Sequence, residues 1–118
     1  MTRLQIRVGA RNEIRPGEVH VVELPRGEDR RPREALVLLG NNGEPRAYLN
    51  RCRHLPIPID SGSRRFLTHD GEHLLCGTHG ALYQKDDGVC IAGPCIHLAL
   101  EKLTIVEENG VLFLLLRG

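Results

Sequence analysis

Cys52-Arg53-His54 and, further along, Cys76-Gly77-Thr78-His79-Gly80 decide how this chain is read. Each cluster brings one thiol and one imidazole close together, and the second runs directly into glycine. On an extended or hairpin-tip backbone, Cys52 and His54 point to the same side because they are two apart. Cys76 and His79 are three apart, a separation that suits a tight loop closing on a metal. Gly77 and Gly80 bracket that pair. Glycine accepts positive φ and leaves backbone N–H groups open as donors to a sulfide-bearing group. Two such loops facing each other would hold a metal centre between their tips. Two cysteines and two histidines in mixed pairs are the ligand set of a [2Fe–2S] centre in which two imidazoles replace two thiolates. A Cys2His2 zinc site is the alternative, although zinc usually draws on Cys-x2-4-Cys and His-x3-5-His spacings. A third reading has two buried cysteines, two incidental histidines and no metal.

The chain has 118 residues, the size of one domain. Aromatic residues make up only 3%, so the core must be built mostly from Leu, Ile and Val. A net charge of +1 argues against a general nucleic-acid or membrane-surface role. Met1 to Arg7 lack the apolar run of a signal peptide, and the most apolar stretch, Val111 to Leu116, is far short of a membrane span. The expected address is the cytoplasm, where the four cysteines stay reduced or bind metal rather than form disulfides.

Along the chain the pattern is one of short strands punctuated by turns. Val19 to Leu24, Ala35 to Leu39 and Arg46 to Asn50 read as strands, the last two joined by the turn chemistry of Gly40-Asn41-Asn42-Gly43. Arg64 to Thr68 and Glu72 to Cys76 flank a tight turn at Asp70-Gly71. Leu103 to Val106 and Val111 to Leu116 form a hairpin around Asn109-Gly110. Scattered prolines disfavour long helices. The segments Glu18 to Asn50 and Leu98 to Gly118 are expected to share one small sheet system, with Arg51 to Pro94 as a separate lobe. The charge-dense run Arg26 to Glu34 reads as a solvated hairpin loop. Cys90 and Cys95 read as small, semi-buried residues that ligate nothing. His20, His69, His73 and His97 read as ordinary surface or strand residues.

On these residues the chain resembles the Rieske iron–sulfur family. The resemblance is close from Cys52 through Pro94 and looser over the flanking strands. It rests on Cys-x-His at 52 and 54, Cys-x-x-His-Gly at 76 to 80, Tyr83, Gly88 and Gly93-Pro94. It implies an all-β fold: one domain over residues 1–118, an antiparallel sandwich or barrel base with a small cluster-binding lobe at about residues 51–95. By the same resemblance Cys52 and Cys76 bind one iron of a Rieske-type [2Fe–2S] cluster, and His54 and His79 the other. Gly80 and Tyr83 sit close around it. Gly93 and Pro94 lie in a third loop packed over it, with Pro94 as a shield. The implied protein is a one-electron carrier with no catalytic residue of its own. It would be a ferredoxin feeding an oxygenase or other terminal oxidoreductase, with a reductase as donor and no nucleic-acid or membrane partner. This length leaves no room for the separate iron domain of a Rieske oxygenase. A small subunit of a nitrite-reductase-like enzyme and a zinc-stabilised interaction module are the other classes, and the oligomeric state is left open.

The departures from the family pattern carry information of their own. Pro56 replaces a common glycine, the gap between the ligand pairs is long, and Thr78 stands where an aromatic or cysteine is common. High-potential relatives tie their cluster loops with a disulfide at the positions held here by Ile57 and Thr78. The serine that donates to a cluster sulfur in those relatives is Ala81 here, while the tyrosine is kept as Tyr83. Fewer hydrogen bonds to sulfur leave the reduced, more negative cluster less stabilised. The potential is therefore expected in the lower part of the Rieske span of about −150 to +300 mV. Protein-film voltammetry checks this, and a value well above about +200 mV contradicts it.

Overall fold

The aliphatic run Ala35 to Leu39 lies at the centre of the molecule, and the layers follow from how it is buried. The computed structural model describes residues 3–26, 30, 32–53, 57–60, 62–77 and 80–117. Among the described residues there are nine strands: β1 (Arg3–Ala10), β2 (His20–Leu24), β3 (Arg33–Leu39), β4 (Pro45–Leu49), β5 (His73–Leu75), β6 (Leu82–Gln84), β7 (Cys90–Ala92), β8 (Thr104–Glu108) and β9 (Val111–Arg117). A single 3-10 turn spans Arg11–Glu13, and no α-helix occurs among these residues. The strands pair antiparallel into three sheets, ordered β1-β9-β8, β2-β3-β4 and β5-β6-β7. The expected all-β fold is what the structure shows.

Successive residues of a strand face opposite sides of its sheet, and β3 uses both sides for burial. Leu36 and Leu38 enter a core shared with Ile59, Phe66, Leu74, Tyr83 and the four cysteines. Ala35 and Val37 enter a second core with Val8, Leu24, Leu112 and Leu114. On β4, Tyr48 joins the first core and Ala47 and Leu49 the second. The β2-β3-β4 sheet is thus a shared middle layer, with the β1-β9-β8 sheet against one face and the β5-β6-β7 lobe against the other. Burial on both faces is why this strand reads as an unbroken apolar run instead of an alternation.

One expectation about the sheets is corrected. Residues 18–50 and 98–118 form two sheets, not one, because β9 takes β1 as its second neighbour and β2 closes the other edge of β3. The two sheets stay linked where β4 meets the approach to β8. Leu49 N–H donates to Glu101 O (2.9 Å) and Leu103 N–H to Ala47 O (2.9 Å). Strand β1 was not anticipated, although Leu4, Ile6 and Val8 alternate with Gln5 and Arg7. Strands β6 and β7 were missed as well; three residues each are too few to show a period.

The predicted hairpin turns are present. Asn109 (φ 51°) and Gly110 (φ 78°) are both left-handed, as a two-residue hairpin loop between twisted strands requires. At Asp70-Gly71, Gly71 N–H donates to Thr68 O (2.8 Å), but the Arg64 to Thr68 flank contributes only an isolated bridge, Leu67 to Leu74. The β2–β3 hairpin pairs Leu24 with Arg33, while residues 27–29 and 31 of its tip lie outside the described residues.

A polar network fastens the loop after β4 to the start of β3. Asn50 and Asp60 are 8% and 3% exposed. Asn50 Oδ1 accepts the Ile59 N–H (2.9 Å), and its Nδ2 donates to Glu34 Oε1 (3.1 Å) and Asp60 Oδ1 (3.3 Å). Arg64 donates to both Glu34 carboxylate oxygens, each at 2.9 Å, and the Arg64 N–H donates to Asp60 Oδ2 (3.0 Å). Satisfied polar groups in a buried site fix one geometry, because any slip leaves a desolvated donor or acceptor unpaired.

The hydrogen bonds from Arg64 hold the Glu34 carboxyl below its usual range against the opposing effect of burial, and Asn50 adds to the lowering. A carboxyl whose folded pKa is depressed contributes stability above its unfolded value of about 4.3. That contribution disappears as pH falls through the folded value. Glu34→Gln is therefore expected to unfold at lower urea concentration than the parent near pH 6, with the gap closing as pH falls below the usual carboxylate range. A gap independent of pH would contradict the assignment.

Candidate metal centre

The chain turns sharply after β4 and after β5, and the two turns are built alike. Cys52 N–H donates to Ile57 O (2.7 Å), and Cys76 N–H donates to Ala81 O (2.8 Å). In each case the cysteine backbone bonds five residues ahead, and the predicted histidine lies between in sequence. Gly77 N–H donates to Ile59 O (2.9 Å) and ties the second loop to the first. Gly80 is left-handed (φ 71°), and its N–H donates to Cys76 O (2.9 Å), which closes the turn. The two glycines differ from what their sequence suggests. Gly77 has no left-handed φ, and the N–H groups of Gly77 and Gly80 bond backbone carbonyls instead of standing open.

The turns bring two sulfurs together from residues 24 apart in sequence: Cys76 Sγ and Cys52 Sγ are separated by 3.2 Å. Cys52 is 3% exposed and Cys76 fully buried, and none of the four cysteines is in a disulfide. Two thiolates on a tetrahedral metal with bonds of about 2.3 Å sit ~3.8 Å apart, so a shift of roughly half an ångström suits this pair to one ion. Thiolates are soft donors that favour iron–sulfur clusters, zinc or copper(I). The donor chemistry present thus fits one end of a [2Fe–2S] cluster. His54 and His79, the other two predicted ligands, lie outside the described residues, as does Thr78.

A third loop follows β7 and packs on the second. Gly93 (φ 97°) makes that approach possible, since a Cβ there would stand 2.8 Å from Ala81 Cα. The loop is held by Cys90 N–H to Leu98 O (2.7 Å), His97 N–H to Cys90 O (3.0 Å) and Leu98 N–H to Cys95 O (2.9 Å). Pro94 sits in it, exposed, and Cys95 beside it is 2% exposed.

Tyr83, on β6, reaches across from the lobe sheet to the first cysteine loop. Its hydroxyl lies 3.5 Å from Cys52 Sγ and 3.0 Å from Cys95 Sγ, and it accepts the Arg53 N–H at 3.1 Å. Burial, with the two sulfur contacts, pushes its pKa up, so the phenol keeps its proton. Burial likewise raises the Cys90 thiol, which donates to Ala92 O (3.1 Å). Cys90 and Cys95 are fully buried, not semi-buried, and Cys95 contacts Tyr83. The only signal for it was a cysteine directly after Gly93-Pro94.

Residues 5–105 match the family model of the Rieske [2Fe-2S] domain. Over 62 residues the chain is 37% identical to the oxygenase component of chloroacetanilide N-alkylformylase from Rhizorhabdus wittichii, a match covering 52% of this chain and 16% of that protein. Its fold is similar to a chain in the reduced complex between oxygenase and ferredoxin in carbazole 1,9a-dioxygenase. The TM-score there is 0.74 at 21% identity, over 97% of this chain and 29% of that one. The terminal oxygenase of carbazole 1,9a-dioxygenase from Nocardioides aromaticivorans is comparable, with a TM-score of 0.70 at 21% identity over 97% of this chain and 30% of that one. At that identity the structures establish likeness of fold, and this chain spans less than a third of each of these relatives. The paired cysteine loops, the third loop laid over them and the match across residues 5–105 agree: the chain belongs to the Rieske [2Fe–2S] domain family.

Proposed function

We propose that the chain works as a ferredoxin-type electron carrier, with Cys52 and Cys76 holding one iron of the family's cluster and His54 and His79 the other. A bound cluster of this type supplies reversible one-electron chemistry. The chain's own part is to position, shield and expose. The turns closed at Cys52–Ile57 and Cys76–Ala81 aim both sulfurs at one point. Burial of both sulfurs keeps water from the inner end of the site, and Tyr83 offers a hydroxyl to Cys52. Ala81 has no hydroxyl to offer, which supports a potential in the lower part of the family's range.

The observation that carries the proposal is the approach of two buried sulfurs to 3.2 Å without a disulfide. The face next to it supports a shuttle that docks and leaves. Ile91, Ile96 and Leu98 are 39%, 49% and 45% exposed on β7 and the third loop, beside Gly93 and Pro94. Exposed apolar side chains on neighbouring segments are what a partner covers when it seats there.

A second reading makes the chain the Rieske domain of a longer oxygenase, because its 37% identity falls on an oxygenase component of which it covers 16%. Stopped-flow mixing separates the two readings. The chain, reduced under anaerobic conditions, is mixed with a separately purified ring-hydroxylating oxygenase whose own cluster is oxidised. The shuttle reading predicts reoxidation at a rate that rises with oxygenase concentration and saturates. An intact visible spectrum with no transfer to any oxygenase offered would favour the second reading.

A further inference from the structure

The phenol hydroxyl of Tyr83 has one hydrogen, two lone pairs and three neighbours. Arg53 N–H, which can only donate, takes one lone pair at 3.1 Å. The other two neighbours are sulfurs, Cys52 Sγ at 3.5 Å and Cys95 Sγ at 3.0 Å. A metal-bound Cys52 sulfur is a thiolate and can only accept, so the phenol hydrogen belongs to it. The remaining lone pair then faces the Cys95 thiol, whose S–H is placed to donate to it.

We propose that Cys95 is a positioning residue for Tyr83: its thiol donates to the phenol oxygen and holds the hydroxyl towards the Cys52 sulfur. The inference rests on the reading, proposed above, that Cys52 carries metal. The third loop keeps Cys95 in place for this task. Its sulfur is buried, its carbonyl accepts the Leu98 N–H (2.9 Å), and Gly93 seats the loop against Ala81. Cys90 Sγ also contacts Cys95, but a thiol sulfur is a weak acceptor, and the phenol oxygen at 3.0 Å is the better one for the Cys95 S–H. A phenol that accepts two hydrogen bonds is a stronger donor of its own, since successive hydrogen bonds polarise one another. Donation to a ligand sulfur favours the reduced state, so Cys95 acts on the cluster only through Tyr83.

The test is a double-mutant cycle on the intact protein, read by reduction potential in film voltammetry, with the visible spectrum confirming that each variant carries a cluster. Cys95→Ala is expected to shift the potential downward. Cys95→Ser, whose hydroxyl donates from nearly the same place, is expected to stay close to the parent. In a Tyr83→Phe background Cys95→Ala should produce no further shift. If Cys95→Ala assembles poorly, Cys95→Val, which fills the space without a donor, is read in the same two backgrounds: a downward shift that needs the phenol supports the proposal. Equal shifts with and without the phenol, or no shift in the parent, would overturn it while leaving the cluster assignment intact. A parent protein with no [2Fe–2S] spectrum would overturn the assignment and this inference together.

Discussion

Everything near the functional end of this molecule depends on holding two buried sulfurs 3.2 Å apart. Two thiolates at that separation repel by roughly 5 kcal/mol at an effective dielectric of about 20. A buried pair in this geometry is therefore stable only with protons or a cation between the sulfurs. The chain makes the arrangement with backbone bonds, closing each cysteine turn on a carbonyl five residues ahead and pinning one turn to the other through Gly77 and Ile59. Side chains then complete the enclosure, with Tyr83 and Cys95 behind Cys52 and Ala81 beneath Gly93.

The rest of the fold stabilises that end by layering. The middle sheet is buried on both faces, so the aliphatic side chains of β3 join the core under the cysteine loops to the core under β9. At the edge of this sheet the Asn50–Asp60–Glu34–Arg64 network fixes the loop that leads into Cys52. The exposed Arg64–Glu34 pair is worth little alone. Its contribution comes from closing a network in which Asn50 and Asp60, both buried, have their polar atoms satisfied.

Local features were legible in the sequence and long-range ones were not. The Cys/His spacings and the Gly93-Pro94 step were enough to point to the family, and Asn109-Gly110 to a hairpin turn, because each is written within a few residues. The aliphatic run of β3 announced a buried strand but not that two different sheets cover it. The alternation in Leu4 to Val8 is legible as a strand period, whereas β6 and β7 are too short for any periodicity to emerge. The Asn50 network joins residues 4 to 30 apart with no local signature, so only the folded chain shows it. The same holds for Cys95, whose meeting with Tyr83 depends on how the third loop is seated.

The proposed centre is one two-iron cluster held by two sulfurs and two imidazoles. Electron paramagnetic resonance of the dithionite-reduced protein tests this most directly. The expected result is a rhombic [2Fe–2S] signal with the low average g value that histidine ligation produces, lost when either Cys52 or His79 is replaced by alanine. A colourless protein carrying zinc after anaerobic purification, with no signal on reduction, would contradict it.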